Sequence, residues 1–259
     1  MIPRAITERI LGRLDALEAD RGVRILLAVE SGSRAWGFPS VDSDYDVRFV
    51  YVRPLDDYLA IKPRRDVIEC PIEGDLDVSG WDIQKALRLL LKANPALNEW
   101  LASPVRYRWQ ATVADRLRSL AGRAPYRRTG QYHYFHLGRA TYRKYIRRRE
   151  AVALKKYFYV LRPVMALRWL RTRTDPPPMS LSEIRTGIAI NPEADRAVGE
   201  LIARKAATRE LGTGPRIPAL DRMIEDEFAK GLSAPRPLED PQLLANANLL
   251  FRDVVRSQD

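Results

Sequence analysis

The sequence predicts an α+β fold, with a small mixed β-sheet domain over residues 1–120 followed by an α-helical domain over residues 121–259. Three observations predict it. Short apolar runs bounded by turn formers crowd the first half, helical periodicity dominates the second, and a Gly-Ser pair closes one run just before an Asp-x-Asp opens the next. The boundary falls between residues 102 and 128.

Ile6, Ile10, Leu14 and Leu17 alternate with Arg9, Arg13, Asp15 and Glu18 at the period of a half-buried helix, which Gly22 breaks. Val23 to Val29 reads as a buried strand ending at Ser31-Gly32-Ser33. Asp44 to Val52 has the β-branched and aromatic content of a second strand, stopped by Pro54. Asp66 to Ile72 and Leu76 to Val78 supply a third and fourth, with Gly74 turning between them. At Asp82, an expected N-cap, the strands are expected to end and a helix carrying Ile83, Ala86, Leu87, Leu90 and Leu91 to begin.

Beyond residue 120 only helices are expected. Thr129 to Arg173 is periodic, with Pro163 expected to kink its helix, and Pro176-Pro177-Pro178 reads as a stiff linker. Ser180-Leu181-Ser182-Glu183 matches a capping box. Asn191-Pro192 and Asp240-Pro241 place a capping residue before a first-turn proline, so three more helices are expected. No internal repeat or low-complexity tract is present.

Lysine and arginine number 44 against 33 aspartates and glutamates, a formal charge of +11 carried mostly by arginine. Such a field attracts polyanions, and the planar guanidinium suits phosphate. Charge alone fits solubility or an acidic protein partner equally well. No stretch has the apolar length of a membrane-spanning helix and the start does not resemble a signal peptide, so a cytoplasmic protein without a membrane association is expected. The single cysteine, Cys70, forms no intramolecular disulfide, in keeping with a reducing compartment. With so few cysteines and histidines a zinc site is not expected, and His133 and His136 are read as ordinary hydrogen-bonding residues.

The chemistry is concentrated between Gly32 and Arg48. Side chains on a strand alternate faces, so Asp44 and Asp46 point one way and Tyr45 the other. Two carboxylates this close repel unless a cation lies between them, and a hard divalent ion, Mg²⁺ or Mn²⁺, is the usual partner of such a pair with substrate phosphates. Phosphoryl-type transfer accounts for the pattern, because ions roughly 3.5–4 Å apart stabilise both the attacking and the leaving oxygen. Gly32 lets the backbone approach a triphosphate and Ser33 donates to it. Arg34 and Arg48 are candidate triphosphate contacts, although Arg48 shares the face of the aspartates and an ion pair with them is the competing reading. Either half of this pattern alone would be ordinary, since Gly-Ser turns and solvated Asp-x-Asp turns are common.

Gly-Ser followed at an interval by Ser43-Asp44-Tyr45-Asp46 on a strand resembles the signature of the DNA polymerase beta-like nucleotidyltransferase superfamily. The fuller string Gly32-Ser33-Arg34-Ala35-Trp36-Gly37, with Asp42 to Arg48, Gly80-Trp81-Asp82 and Leu161-Arg162-Pro163, resembles its bacterial branch associated with RNA repair and RNA ligases. The superfamily motif covers residues 30–80 and the branch-like features reach about residue 170. The resemblance implies a polymerase beta-like palm, a nucleoside triphosphate substrate, a functional partnership with an RNA ligase, and a third carboxylate on a neighbouring strand. Asp77 fits that place best, with Asp75 on the same face and Asp82 explained by capping. It further implies a lysine or arginine from the helical domain on the triphosphate, for which Lys155, Lys156 and Arg162 are candidates.

Between Gln131 and Arg173 aromatic and basic residues interleave, as in surfaces that hold single-stranded nucleic acid. Arg139, Arg143 and Arg147 fall on one helical stripe, suited to an acceptor strand, and Lys155, Tyr159 and Arg162 on another, suited to the nucleotide. The competing reading is a packed core with solvated arginines. The expected function is therefore metal-dependent transfer of a nucleoside monophosphate from a triphosphate to a hydroxyl, most simply the 3′ end of RNA. The alternatives are the same chemistry on a protein or small molecule, or a non-catalytic RNA-binding module.

Overall fold

The computed structural model describes residues 2–208, 211–234 and 240–257. The elements open with α1 (Arg4–Arg21), β1 (Arg24–Glu30), α2 (Gly32–Ala35), β2 (Tyr45–Val52), α3 (Leu55–Leu59), β3 (Val67–Glu69) and β4 (Leu76–Asp82). They continue with α4 (Ile83–Leu91), α5 (Pro95–Leu101), β5 (Arg106–Trp109), α6 (Ala111–Arg123), α7 (Tyr126–Tyr145), β6 (Ala151–Ala153) and α8 (Lys155–Thr172). The last are α9 (Leu181–Thr186), α10 (Pro192–Ala207), β7 (Thr213–Pro215), α11 (Pro218–Ala229) and α12 (Pro241–Arg256). Among the described residues no helix is long and apolar enough to cross a membrane.

Two compact units result, the first from Met1–Ala35, Asp44–Ala124 and Glu239–Asp259, the second from Trp36–Ser43 and Pro125–Leu238. The sequence places the boundary at residue 120, and the chain changes unit at Ala124. Two segments depart from the expected division. The apolar face of α12 packs on α4 and α6, where Arg116 and Arg123 pair with Asp253 and Asp240, so this last helix belongs to the first unit. The motif loop Trp36–Ser43 belongs to the second.

In the first unit a five-stranded mixed sheet has the order β3-β4-β2-β1-β5, with β2 and β4 parallel and the other pairs antiparallel. Strands do not end at Asp82, because β5 adds to the outer edge of β1. Its sequence, Arg106-Tyr107-Arg108-Trp109, is that of an edge strand protected by charge, which conceals the apolar alternation that reveals a strand. Ile10, Leu14 and Leu17 of α1 are buried against Val47, Phe49 and Tyr51 of β2 and Val78 of β4. Each such side chain contributes about 2 kcal/mol by leaving water. Period-two alternation sends Asp46 and Arg48 to the opposite face of β2, and both remain half-buried. Gly80 of β4 faces Phe49 across the ladder, and a Cβ there would lie 2.3 Å from the Phe49 ring.

The second unit is built on α8, whose Tyr157, Phe158 and Val160 to Leu167 are buried. A helix apolar on every side is a core helix, and α7, α9 and α11 pack around it. It runs through Pro163 as one element. The unit is not purely helical: β6 and β7 pair as short antiparallel strands of three residues each, too brief to leave a periodic signal. Ser180, Asn191 and Asp240 cap α9, α10 and α12 through their side chains, as the sequence predicts. Glu227 of α11 is fully buried and receives Arg168 at 2.9 Å, Arg171, and Lys230 at 3.2 Å.

Candidate active site

The end of β1 and the start of β2 are locked together before any chemistry is considered. Ser31 N–H donates to the Asp46 carbonyl at 2.8 Å, and Asp46 N–H donates to Glu30 Oε1 at 2.9 Å. At Gly32 the chain turns with φ 60°, and a Cβ there would lie 1.9 Å from Asp46 Oδ2. Glycine is therefore required twice, for the left-handed backbone and for the space that the Asp46 carboxylate fills. Gly32 and Ser33 open the single helical turn α2, directly against the first aspartate of β2.

Across the parallel ladder Asp46 stands opposite Asp77. Arg48 spans the two carboxylates, 3.2 Å from Asp46 Oδ1 and 2.7 Å from Asp77 Oδ2, and also donates to the Val47 and Asp77 carbonyls. Of the two readings of Arg48, the ion pair with the aspartates is what the structure contains. Asp44 precedes β2 and is exposed. Its backbone carbonyl accepts from Arg34 Nε at 3.1 Å, and the Arg34 guanidinium lies 3.9 Å from the Tyr45 ring centroid. Asp75 is drawn to Arg9 at 3.0 Å, and Asp82 caps α4 and accepts from Tyr58 at the far end of β4. Asp77 is thus the carboxylate placed beside Asp46.

Burial raises the Asp46 carboxyl above its ordinary range, and the charges of Asp77 and Asp44 raise it further while Arg48 opposes them. Among the described residues no three side chains of the metal-ligating types are drawn onto one point. The donors nevertheless fit a hard divalent ion. Asp46 and Asp77 offer carboxylate oxygens that are adjacent and half-buried, with Asp44 exposed just ahead of the strand, and a guanidinium already supplies the positive charge that the proximity of the first two demands.

Two residues that the sequence analysis missed support this arrangement. Glu30 is fully buried beneath Asp46, where burial pushes its carboxyl up to about 7 against the lowering effect of its hydrogen bonds. Its second oxygen accepts a short hydrogen bond from the Tyr107 hydroxyl on β5. The signal for Glu30 is a carboxylate closing an otherwise apolar run; Tyr107 offers none, because the arginines beside it conceal its strand.

The remaining candidates lie in the second unit. Trp36 and Phe38 anchor the motif loop to α8: Phe38 stacks on Phe158 at 4.5 Å, and the Trp36 carbonyl accepts from Leu181 N–H. Arg162 is buried with its guanidinium 4.9 Å from the Trp36 ring, and Tyr159 meets Trp36 edge-on. Lys156 lies between the Tyr145 and Tyr159 rings, at 4.4 and 5.1 Å, while Lys155 is exposed at the start of α8. Arg139, Arg143 and Arg147 come together on one cavity, although Arg147 lies beyond the end of α7.

The sequence profile of RlaP, described as the RNA repair pathway DNA polymerase beta family, matches residues 6–253. The Bacillus subtilis (strain 168) protein named Uncharacterized protein YcgL is 41% identical over 250 residues, covering 96% of each chain. A solved structure, the nucleotidyltransferase-like protein from Exiguobacterium sibiricum 255-15, covers 95% of this chain and 79% of its own at 12% identity and a TM-score of 0.28, a likeness too distant to bear on the fold. The match along nearly the whole sequence and the 41% identical relative show the family: this chain belongs to the RNA repair pathway DNA polymerase beta family of nucleotidyltransferases.

Proposed function

We propose that the protein transfers a nucleoside monophosphate from a nucleoside triphosphate to the 3′-terminal hydroxyl of an RNA, releasing pyrophosphate. The observation that carries this reading is the seating of Gly32 on Asp46, with Asp77 one strand away in register. Gly32 admits the triphosphate close to the backbone, and the Ser33 hydroxyl with neighbouring amides donates to its outer phosphates. Asp44, Asp46 and Asp77 would hold Mg²⁺ or Mn²⁺, which would supply positive charge to the triphosphate and acidify the acceptor hydroxyl.

The acceptor oxygen forms its bond to the α-phosphorus as the bond from that phosphorus to the bridging oxygen breaks. Pyrophosphate leaves with the electron pair, and Asp77 takes the acceptor's proton. Glu30 keeps the Asp46 backbone in place through the bond to its N–H. Arg48, freed from the carboxylates by the incoming charge, and Arg34 are within the same unit to steady the phosphates. RNA as acceptor is supported by the family's description, by the charge of +11, and by Arg139, Arg143 and Arg147 gathered on one surface of the second unit.

The test is incubation of the purified protein with each of the four triphosphates, labelled at the α-phosphate, a short RNA and Mg²⁺. Label is expected in the RNA, and to be lost in Asp46→Asn and in Asp77→Asn while both variants melt as folded proteins. Label appearing in polypeptide instead, or incorporation that survives both substitutions, would overturn the reading.

A further inference from the structure

In the second unit a cavity of about 360 Å³ lies between α7 and α11, lined by Arg139, Arg143, Arg147, Tyr142, Glu225 and Phe228. Several arginines elsewhere in this unit are ion-paired. Arg168 and Arg171 pair with Glu227, Arg185 with Asp195, Arg216 with Asp221 and Arg222 with Glu193. Among the described residues Arg139, Arg143 and Arg147 make no ion pair and no side-chain hydrogen bond; the Arg139 guanidinium only stands 5.5 Å from the Phe135 ring. The carboxylate of the cavity, Glu225, accepts from the Tyr142 hydroxyl at 2.6 Å rather than from a cation. Three guanidiniums thus line one cavity without an ion-pair partner, against the single carboxylate of Glu225, and the fork of each suits a phosphate.

The wall between them is aromatic. Phe228 is partly exposed and held by Phe135, edge-on at 5.8 Å, and by the buried Tyr142 at 6.2 Å. A recessed aromatic surface bordered by cations is the arrangement on which an unstacked base rests while its phosphates are held. An acidic protein would need no recess, and a membrane surface would need apolar groups that protrude. Exposed Lys144, Arg148 and Arg149 continue the positive surface away from the cavity, along which a strand has further phosphates to place.

We propose that this cavity takes one unpaired nucleotide of a single-stranded RNA. Its phosphates lie on Arg139, Arg143 and Arg147, its base lies against Phe228, and Glu225 accepts from an N–H of that base. The inference rests on RNA being the acceptor and adds where, and in what form, the strand is held.

The test is the fluorescence anisotropy of a short labelled single-stranded RNA, and of the same sequence as a duplex, titrated with the full-length protein in chelator without triphosphate. Arg143→Ala with Arg147→Ala should weaken single-strand binding at least tenfold. It should also make the slope of log affinity against log salt shallower by about 1.4, or 0.7 for each phosphate no longer held. Phe228→Leu should weaken single-strand binding about tenfold and leave duplex binding nearly unchanged. Circular dichroism checks the fold, and should Phe228→Leu disturb it, the two exposed arginines carry the test. Wild-type affinity and salt slope in the arginine variant would overturn the cavity while leaving RNA as acceptor. A duplex bound as tightly as the single strand, with Phe228→Leu silent, would remove the base from it. No RNA binding by the wild type would remove the acceptor itself.

Discussion

Replacing Gly32 by alanine probes the point where the proposed phosphate turn meets the strand that carries Asp46. Gly32 has φ 60°, a left-handed conformation that costs an L-residue about 1–2 kcal/mol. The new methyl would also lie 1.9 Å from Asp46 Oδ2. Carbon and oxygen settle at ~3.4 Å, so the turn and the carboxylate must separate by about 1.5 Å. A misplacement of ~1 Å in a reacting constellation costs on the order of 100-fold in rate. Gly32→Ala is therefore expected to lose at least that factor in nucleotide incorporation while its melting temperature falls by only roughly 2–8 °C. Initial rates of label incorporation and a thermal melt on the same preparation measure both. A folded variant with a near wild-type rate would show that the close fit of Gly32 on Asp46 has no part in the reaction.

Arg48→Met leaves Asp46 and Asp77 facing each other without their guanidinium, so in chelator the variant is expected to lose ~2 kcal/mol. Added Mg²⁺ should then raise its melting temperature more than that of the wild type; equal shifts would mean that Arg48 does not stand in for a divalent ion. Glu30→Leu orphans the Asp46 N–H and the Tyr107 hydroxyl at a cost of about 2–3 kcal/mol by denaturant titration, whereas Glu30→Gln keeps an acceptor and should lose less than half of that. Glu227→Gln breaks a buried ion-pair network and should cost about 3 kcal/mol at neutral pH. Burial pushes the Glu227 carboxyl up, but bonds from Arg171 and Arg168 outweigh it and hold it below the ordinary range. A depressed carboxyl stabilises fully above the unfolded value of about 4.3 and loses that contribution as pH falls through the folded one. Acid unfolding of the wild type should accordingly steepen below that value, and Glu227→Gln should lack the steepening.

Both units were legible where apolar pattern and turn residues act together. The runs that became β1, β2 and β4, the break at Gly22 and the caps at Asp82, Ser180, Asn191 and Asp240 depend on local chemistry that a sequence displays. Elements held mainly by tertiary contact were missed. β5 is a charged edge strand, β6 and β7 are three residues each, and α11 starts at Pro218 with Ile217 at the N-cap and no side-chain cap. The candidate site divides in the same way. Asp46, Asp77 and Gly32 follow from strand periodicity and the motif, whereas the pairing of Asp75 with Arg9, a residue more than sixty positions away, is one that no spacing rule connects. Glu30 was hidden for a related reason: its importance lies in what it touches across the ladder. Trp36 and Phe38 sit inside the motif between Gly32 and Arg48, yet they serve to pack the loop on α8, which only the fold reveals.

The most direct measurement is the anomalous scattering of Mn²⁺ in crystals grown with a non-hydrolysable nucleoside triphosphate. A peak bound by the Asp46 and Asp77 carboxylates is expected, with Arg48 moved off them and the outer phosphates on Gly32 and Ser33. Manganese bound elsewhere, with Arg48 still bridging the two aspartates and the triphosphate away from the Gly32 turn, would contradict the account.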